Sequence, residues 1–313
     1  MKIKYFGFML LLAASSALTS CSEDDLDPNS IFSTVDGNDE AKSPEYIEFD
    51  EWIMKNYTEP YNIRLQYLYN DKETDQSYNV VPADFDKSKG LAKLVKHMWV
   101  DTYAEAVSEE FIKTYTPRTI QLIGSYEWNG NGSQVLGTAE GGLKVMLYGV
   151  NFLDLDNPRV NTTDPYANKG AVPLDLNHWF FHTMHHEFCH ILTQKKDYPT
   201  DFRAISAGRY HSTDWVNVKD IDSAKEGFVT GYASGEYNED FAEVYSTYIT
   251  MSQEGWNKII DNAGAEGAAI IENKLSIVRE YFYQSWGIDI DKLRTIVLRR
   301  SAEAEHLDLH SLN

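Results

Sequence analysis

Cysteine is almost absent from this chain. Among its 313 residues there are two Cys, at positions 21 and 189. Two cysteines cannot form the disulfide framework that holds many small secreted domains together. Cys21 also lies in a lipidation signal, described below, so Cys189 has no partner, and we interpret Cys189 as a small buried apolar residue. A chain of this length can instead bury a large hydrophobic core.

Positive charge is also scarce. The chain has 28 Lys and Arg against 48 Asp and Glu, which gives a net charge of −20. This imbalance argues against nucleic acid or an anionic membrane surface as a partner. Aromatic residues are plentiful by contrast, with 20 Tyr, 14 Phe and 7 Trp. We expect most of these rings to pack in the core.

The apolar run at the start of the chain is short. Lys2 and Lys4 precede a mostly apolar stretch over residues 5–18. This stretch is too short to span a bilayer comfortably, so we predict a signal peptide over residues 1–20. Its end, Leu18-Thr19-Ser20-Cys21, resembles the lipobox of bacterial lipoproteins, in which the Cys becomes the lipidated first residue. We therefore expect Cys21 to carry acyl chains, which would anchor the protein firmly to a membrane.

A polar segment follows the predicted lipidation site. Residues 21–44 are rich in Ser, Asp, Asn and Glu, which predicts a flexible acidic tether. The acidic run over residues 22–25 resembles the export tag of lipoproteins sent to the outer face of the outer membrane in some Gram-negative bacteria. The predicted location is therefore the outer membrane, with the lipid-anchored protein facing the cell exterior.

The rest of the chain predicts an α+β fold. We place an α/β subdomain over residues 45–175 and a mainly helical subdomain over residues 176–313. The first is expected to hold strands at 63–69 and 119–126, hairpin strands at 135–139 and 143–148, and helices at 49–57 and 88–107. The second is expected to hold helices at 174–194, 238–251 and 267–298, with a break near Gly287.

One predicted helix, over residues 174–194, carries a chemical motif. It contains His186-Glu187-Phe188-Cys189-His190, the H-E-x-x-H pattern. Residues four apart lie on the same face of a helix, so His186 and His190 point the same way and can hold a zinc ion. Glu187 can then reach a water molecule at the metal and act as a general base.

The third zinc ligand must come from elsewhere in the chain. Metzincins place a Gly and a His seven and ten residues after the first motif His, where this sequence has Thr193 and Lys196. Because a protonated lysine cannot bind zinc, that class is excluded. The alternative is an acid from a later helix. Glu239 and Glu243 lie one helical turn apart, so one can bind the metal while the other orients a liganding His.

The acidic pair resembles the gluzincin arrangement, in which an acidic ligand is followed four residues later by a second acid. In some bacterial relatives a Tyr stands seven residues before the ligand. The resemblance assigns Glu239 as the third ligand, Glu243 as the orienting acid and Tyr232 as a donor to the oxyanion. It also implies a zincin-like fold, with a twisted sheet, a backing helix, and an edge strand that receives an extended substrate. We take the hairpin over residues 134–148 as the candidate for that edge.

Alternative interpretations remain open for several residues. His211 is a rival third ligand. His178 and His182 continue the row of His186 at four-residue spacing, and we expect them beside the ligands or at the edge of the core, with a second metal site as the alternative. Glu239 could instead be an acid that favours a helix N-terminus. Glu243 could be an exposed residue on the helix surface, and Tyr232 a packed aromatic residue in a loop.

The chain as a whole resembles the lipoproteins known as substrate import-associated zinc metallohydrolases, which occur beside TonB-dependent nutrient importers. The resemblance rests on the predicted lipidated Cys, the acidic tag that follows it, the zinc motifs and the run over residues 286–289. It implies a surface-anchored zinc endopeptidase that acts on peptides or proteins, with an importer and its substrate-binding lipoprotein as partners. The alternatives are a non-catalytic zinc-containing module that binds peptides or glycopeptides for an importer, and a protease directed at glycopeptides.

Overall fold

The computed structural model describes residues 43–70, 72, 74, 78–140 and 142–312. The predicted signal peptide, Cys21 and nearly all of the predicted tether lie outside this part of the chain. Phe49 and the residues after it belong to one compact unit, which contains the other predicted site residues. The predicted division at residue 175 stays a prediction. Among the described residues, no helix has both the length and the apolar character that a membrane span requires.

A four-stranded sheet is formed by the first half of the chain. The strands, including two that form a separate short ribbon, are β1 (Arg64–Gln66), β2 (Thr119–Leu122), β3 (Glu127–Trp128), β4 (Gln134–Val135), β5 (Gly137–Glu140) and β6 (Lys144–Leu147). The sheet order is β1-β2-β6-β5, while β3 pairs with β4. The pairs β1–β2 and β2–β6 are parallel, and β5 is antiparallel to β6. The predicted hairpin is therefore confirmed, and β5 is an edge strand.

Strand β2 ends earlier than its sequence pattern predicts. The pattern continues to residue 126, but the strand ends at Leu122, and Ile123 forms an isolated bridge with Pro82. The chain then passes so close to a neighbouring segment that a Cβ on Gly124 would lie 2.1 Å from the Pro82 carbonyl oxygen. Gly124 instead donates its N–H to the Val81 carbonyl. A close backbone approach of this kind needs glycine and interrupts the strand.

Eleven α-helices are present in the described part of the chain. They are α1 (Pro44–Ile53), α2 (Glu59–Tyr61), α3 (Phe85–Val95), α4 (Asp101–Ala106), α5 (Glu109–Tyr115), α6 (His182–Lys195), α7 (Asp201–Ile205), α8 (Asp220–Ser223), α9 (Tyr237–Thr250), α10 (Gln253–Trp286) and α11 (Ile290–Ala304). Short π-helical turns precede α2, α4 and α6. The α+β class is confirmed, and the second half of the chain is mainly helical.

Two glycines divide the C-terminal helical region. Gly264 has φ 65° and ψ −175°, so it breaks α10 internally. Gly287 has φ 67° and closes the same helix in the left-handed conformation that glycine adopts readily. The break predicted near Gly287 is confirmed. The helix extends further toward its N-terminus than the predicted start at residue 267.

The motif helix α6 is held from behind by aromatic packing. The Phe188 ring lies 5.2 Å from the Trp99 ring and 4.8 Å from the Tyr103 ring, both at edge-on angles. All three side chains are buried. The Tyr103 hydroxyl also lies 2.9 Å from His185 Nδ1 and 2.8 Å from the Tyr245 hydroxyl. The predicted backing helix is therefore present, and these contacts join it to α6 and α9.

The edge strand β5 lies directly against α6. A Cβ on Gly137 would be 2.6 Å from the Thr183 methyl carbon and 3.2 Å from the Met146 carbonyl oxygen. It would also lie 3.9 Å from Cγ of Glu187. Glycine at this position therefore allows the strand to approach the helix beside the motif.

We expect Gly137→Ala to destabilise the protein by about 1–3 kcal/mol, because the added methyl group overpacks this contact. Urea unfolding measures the change. The double variant Gly137→Ala/Thr183→Ser should recover part of the loss, because serine lacks the methyl group that the new alanine Cβ would contact. An unchanged free energy of unfolding in the single variant would contradict the close approach.

Candidate metal centre

Two helices present facing rows of polar side chains. His186 and His190 lie one turn apart on α6, and Glu239 and Glu243 lie one turn apart on α9. His190 contacts Glu239, while His186 contacts both acids. The earlier histidine thus meets the later acid, Glu243, and the later histidine meets the earlier acid, Glu239. The two helices therefore run antiparallel here. Tertiary packing brings the motif histidines to acids about 50 residues away along the chain, as the sequence predicts.

Three donor atoms converge at one point. His186 Nε2 lies 3.0 Å from Glu239 Oε2, His190 Nε2 lies 3.3 Å from the same oxygen, and the two imidazole nitrogens are 2.9 Å apart. Ligands bound at 2.0–2.2 Å to a tetrahedral zinc ion are separated from one another by roughly 3.3–3.6 Å. The three atoms lie slightly closer together than this, so a small outward shift would give them the spacing of ligands around one small cation.

The electrostatics of the three residues favour a cation between them. Burial lowers the pKa of His186, but the hydrogen-bonded Glu239 and Glu243 carboxylates outweigh it and raise that pKa well above its ordinary value. Burial raises the pKa of Glu239, yet His186 and His190 hold it far below its usual range. These two pKa shifts show that the space between the three side chains favours positive charge. The donor set of two imidazoles and one carboxylate is one that zinc accepts in catalytic sites.

Glu243 orients the first histidine from the far side. Its Oε1 lies 2.8 Å from His186 Nδ1 and 2.8 Å from His182 Nε2, and its Oε2 accepts a 2.6 Å hydrogen bond from the Thr230 hydroxyl. Burial raises the pKa of Glu243, but His182 and His186 hold it well below its ordinary value. An ionised Glu243 accepts a hydrogen bond from the Nδ1–H of His186, which leaves Nε2 as the nitrogen that faces Glu239 and would bind a metal.

A second group of potential ligands overlaps the first. His182, His186 and Glu243 also have donor atoms within 4.8 Å of one another. Here both imidazoles face the same carboxylate oxygen at hydrogen-bond distance, and the Thr230 hydroxyl occupies the other oxygen. We therefore interpret this group as the hydrogen-bonded support of the first one. His182 lies beside the ligands, as one of the sequence-based expectations has it.

Glu187 lies between two cavities that flank the three donors. One cavity, of about 570 Å³, is lined by His190, Gln194 and Glu236 among others. The other, of about 650 Å³, extends past His182 and Thr183. Glu187 lines both. The motif acid therefore lies beside both spaces that flank the three donors.

Tyr232 belongs to the same site. Its ring centroid lies 5.7 Å from that of His186 and 4.8 Å from that of Trp215. Burial raises the pKa of the Tyr232 hydroxyl, and the nearby Glu239 and Glu187 carboxylates raise it further. The phenol therefore stays protonated at neutral pH and donates a hydrogen bond to Glu239, and Tyr232 lines the larger cavity.

Some candidate residues lie outside the centre. His211 Nε2 pairs with Glu226 at 2.8 Å, and His211 belongs to neither group of potential metal ligands. His178 lines the larger cavity without joining either group. Cys189 is fully buried and unpaired, as expected. Two contributors are missing from the sequence-based prediction, Thr230 and Trp215, since neither belongs to a spacing pattern.

Comparison with known proteins gives a consistent result. Residues 42–291 match the model of a protein family described as “Putative zinc-binding metallo-peptidase”. A crystal structure of a “putative zinc-binding metallo-peptidase” from Bacteroides caccae ATCC 43185 is 42% identical, with a TM-score of 0.71, and the match covers 87% of this chain and 98% of that one. No curated protein matches the chain significantly.

Proposed function

Because the chain belongs to the family described as “Putative zinc-binding metallo-peptidase”, we propose that it is a zinc-dependent endopeptidase with His186, His190 and Glu239 as the metal ligands. Zinc is the cofactor. The observation that carries the assignment of ligands is the convergence of the three donor atoms within 2.9–3.3 Å. Three protein ligands leave a coordination position open, as catalytic zinc sites require.

The chain's own residues account for the proton transfers of peptide hydrolysis. Bound zinc supplies a Lewis acid at the open position. Glu187 takes a proton from the attacking water and then delivers it to the amine that leaves when the C–N bond breaks. The Tyr232 hydroxyl donates a hydrogen bond to the carbonyl oxygen as negative charge develops there. Glu243 holds His186 in the tautomer whose Nε2 faces the metal.

The geometry around the centre favours an extended substrate. Among the residues that the structure describes, β5 pairs on one side only, and it lies beside α6; two cavities lie on either side of Glu187. A peptide added to this edge would cross the metal centre and place residues in both cavities. This arrangement supports cleavage within a chain.

The proposed setting is the outer surface of the outer membrane. It is supported by the lipobox that ends in Cys21 and by the acidic run over residues 22–25. A TonB-dependent importer and its substrate-binding lipoprotein are the proposed partners, and peptides, proteins or glycopeptides the proposed substrates. Metabolic labelling of the expressed protein with a fatty-acid analogue, with Cys21→Ser as the control, tests the anchor.

Removal of the metal tests the proposed activity. The zinc-loaded protein is expected to cleave members of a diverse peptide and glycoprotein mixture, and a chelator should abolish cleavage until zinc is restored. Thermal unfolding should show a lower midpoint without zinc, because zinc at 100 times its Kd stabilises the folded state by about 2.7 kcal/mol. Mass spectrometry maps the cleaved bonds, and metal analysis gives the stoichiometry. Undiminished cleavage by metal-free protein would refute the proposal.

A further inference from the structure

The backbone around Tyr232 is held by a neighbouring segment. The 3₁₀ turn Tyr232–Ser234 packs against a second 3₁₀ turn, Ser212–Asn217. A Cβ on Gly231, directly before Tyr232, would lie 2.3 Å from the Val218 carbonyl oxygen. Only a residue without a side chain allows the two segments to approach this closely. The backbone at Tyr232 therefore has little room to move, and the position of its hydroxyl depends on the side chain.

The side chain of Tyr232 is less constrained than its backbone. It is 37% exposed, and its hydroxyl is hydrogen-bonded to Glu239. In the proposed reaction the hydroxyl donates to the carbonyl oxygen of the substrate, so it must exchange its Glu239 partner for that oxygen. A tyrosine side chain can rotate about two torsion angles. Contacts to the ring must therefore keep the hydroxyl in place while its partner changes.

Two aromatic rings supply such contacts. The Tyr232 ring centroid lies 5.7 Å from that of His186 and 4.8 Å from that of Trp215, which meets it edge-on at 72°. His186 is a proposed metal ligand, whereas Trp215 belongs to neither group of potential ligands. The indole is itself closely packed, because a Cβ on Gly235 would lie 3.3 Å from Trp215 Cδ1. Trp215 is thus a fixed surface against which the Tyr232 ring rests.

We propose that Trp215 is a positioning residue for the proposed hydrolysis, because its indole holds the Tyr232 ring where the hydroxyl can donate to the carbonyl oxygen of the scissile bond. The proposal rests on the proposed peptidase function for the role of Tyr232. The contact between the two rings can be examined separately, in protein that turns over no substrate. Since Trp215 acts through the tyrosine, its removal should affect kcat only while the Tyr232 hydroxyl is present.

A double-mutant cycle tests this dependence. Trp215→Leu keeps an apolar side chain but has no ring, and we expect it to lower kcat on a mapped peptide by about three- to tenfold, the bias that one aromatic pair exerts. Tyr232→Phe removes the donor itself and should lower kcat by roughly 10²–10³-fold. In the Tyr232→Phe background, adding Trp215→Leu should cost less than about twofold more, because the two residues act as one unit.

Two further variants separate positioning from general stability. Trp215→Phe keeps an aromatic ring beside Tyr232 and should retain most of the activity. Trp52→Leu makes the same change at another half-buried tryptophan, which packs against Tyr57 and lines neither cavity, and it should leave kcat unchanged. Urea unfolding shows whether each variant is folded, and Trp215→Met takes the place of Trp215→Leu in the cycle if the leucine variant does not fold.

Crystal structures of zinc-loaded Glu187→Gln protein, with and without Trp215→Leu, give a readout that needs no activity. We expect the Tyr232 ring to be displaced or spread over several positions in the Trp215→Leu protein, and an unchanged ring would overturn the proposal. Equal losses of kcat from Trp215→Leu with and without the Tyr232 hydroxyl would also overturn it, because Trp215 would then act on the substrate or on the fold. If the unmodified protein cleaves no peptide, the proposed function fails, while the crystal structures still decide whether Trp215 holds Tyr232.

Discussion

Replacing Glu187 by Gln is expected to lower kcat/KM for peptide hydrolysis by roughly 10²–10⁴-fold while zinc stays bound, because the amide keeps the size of the side chain but cannot accept the proton of the attacking water. Glu187 follows the first motif histidine and lines both cavities that flank the three donor atoms. It belongs to neither group of potential metal ligands. Zinc content should therefore be the same in the variant and the unmodified protein.

Two further variants make this test specific. Glu187→Asp keeps the carboxylate on a side chain that is one methylene shorter, so activity should fall less than in Glu187→Gln. Glu254→Gln makes the same chemical change on α10, where the exposed Glu254 pairs with Lys258 one turn away, and it should leave hydrolysis unchanged. Initial rates on a peptide identified by mass spectrometry give kcat/KM, and metal analysis gives the zinc content. Full activity of Glu187→Gln would exclude Glu187 as the general base.

The local part of the metal centre follows from sequence spacing. His186 and His190 are four residues apart in a helical pattern, and the structure places both imidazoles at one point. The same rule applied to Glu239 and Glu243 puts them on one face of α9, where one meets His190 and the other meets the far nitrogen of His186. Periodicity fixes such pairs because the geometry of a helix is the same in every protein.

The contributions from outside these helices depend on packing that no local spacing encodes. Thr230 reaches Glu243 from a loop, and nothing in the neighbouring sequence marks its hydroxyl for that role. The short helix α5 is different, because a local signal for it exists although no helix is predicted there: Ser108 precedes Glu109 and Glu110 and accepts the N–H of Phe111. Close backbone approaches such as that of Gly124 become visible only when two segments are seen together.

A buried ion pair joins α9, the helix that carries Glu239, to α10. Asp240 Oδ2 lies 2.6 Å from Lys274 Nζ, and both side chains are fully buried. Lys274 also donates to the Gly227 carbonyl at 2.8 Å, and Tyr210 donates to the Asp240 carboxylate at 2.9 Å. Burial raises the pKa of Asp240 to about 6 and lowers the pKa of Lys274, while each partner opposes the shift of the other. The pair thus joins α10 to the residue next to the proposed zinc ligand.

Lys274→Met is expected to destabilise the protein by about 3–5 kcal/mol, because it leaves the Asp240 carboxylate buried without its cation. Urea unfolding measures the loss, and zinc titration should show weaker binding, since α9 carries Glu239. Asp240→Leu together with Lys274→Met removes both charges and should recover much of the stability, because an apolar pair of similar volume has no buried charge to compensate. A loss below about 1 kcal/mol in Lys274→Met would show that the ion pair does not hold α9 in place. Equal instability of the single and double variants would show that lost packing, rather than the unpaired Asp240 carboxylate, accounts for the effect.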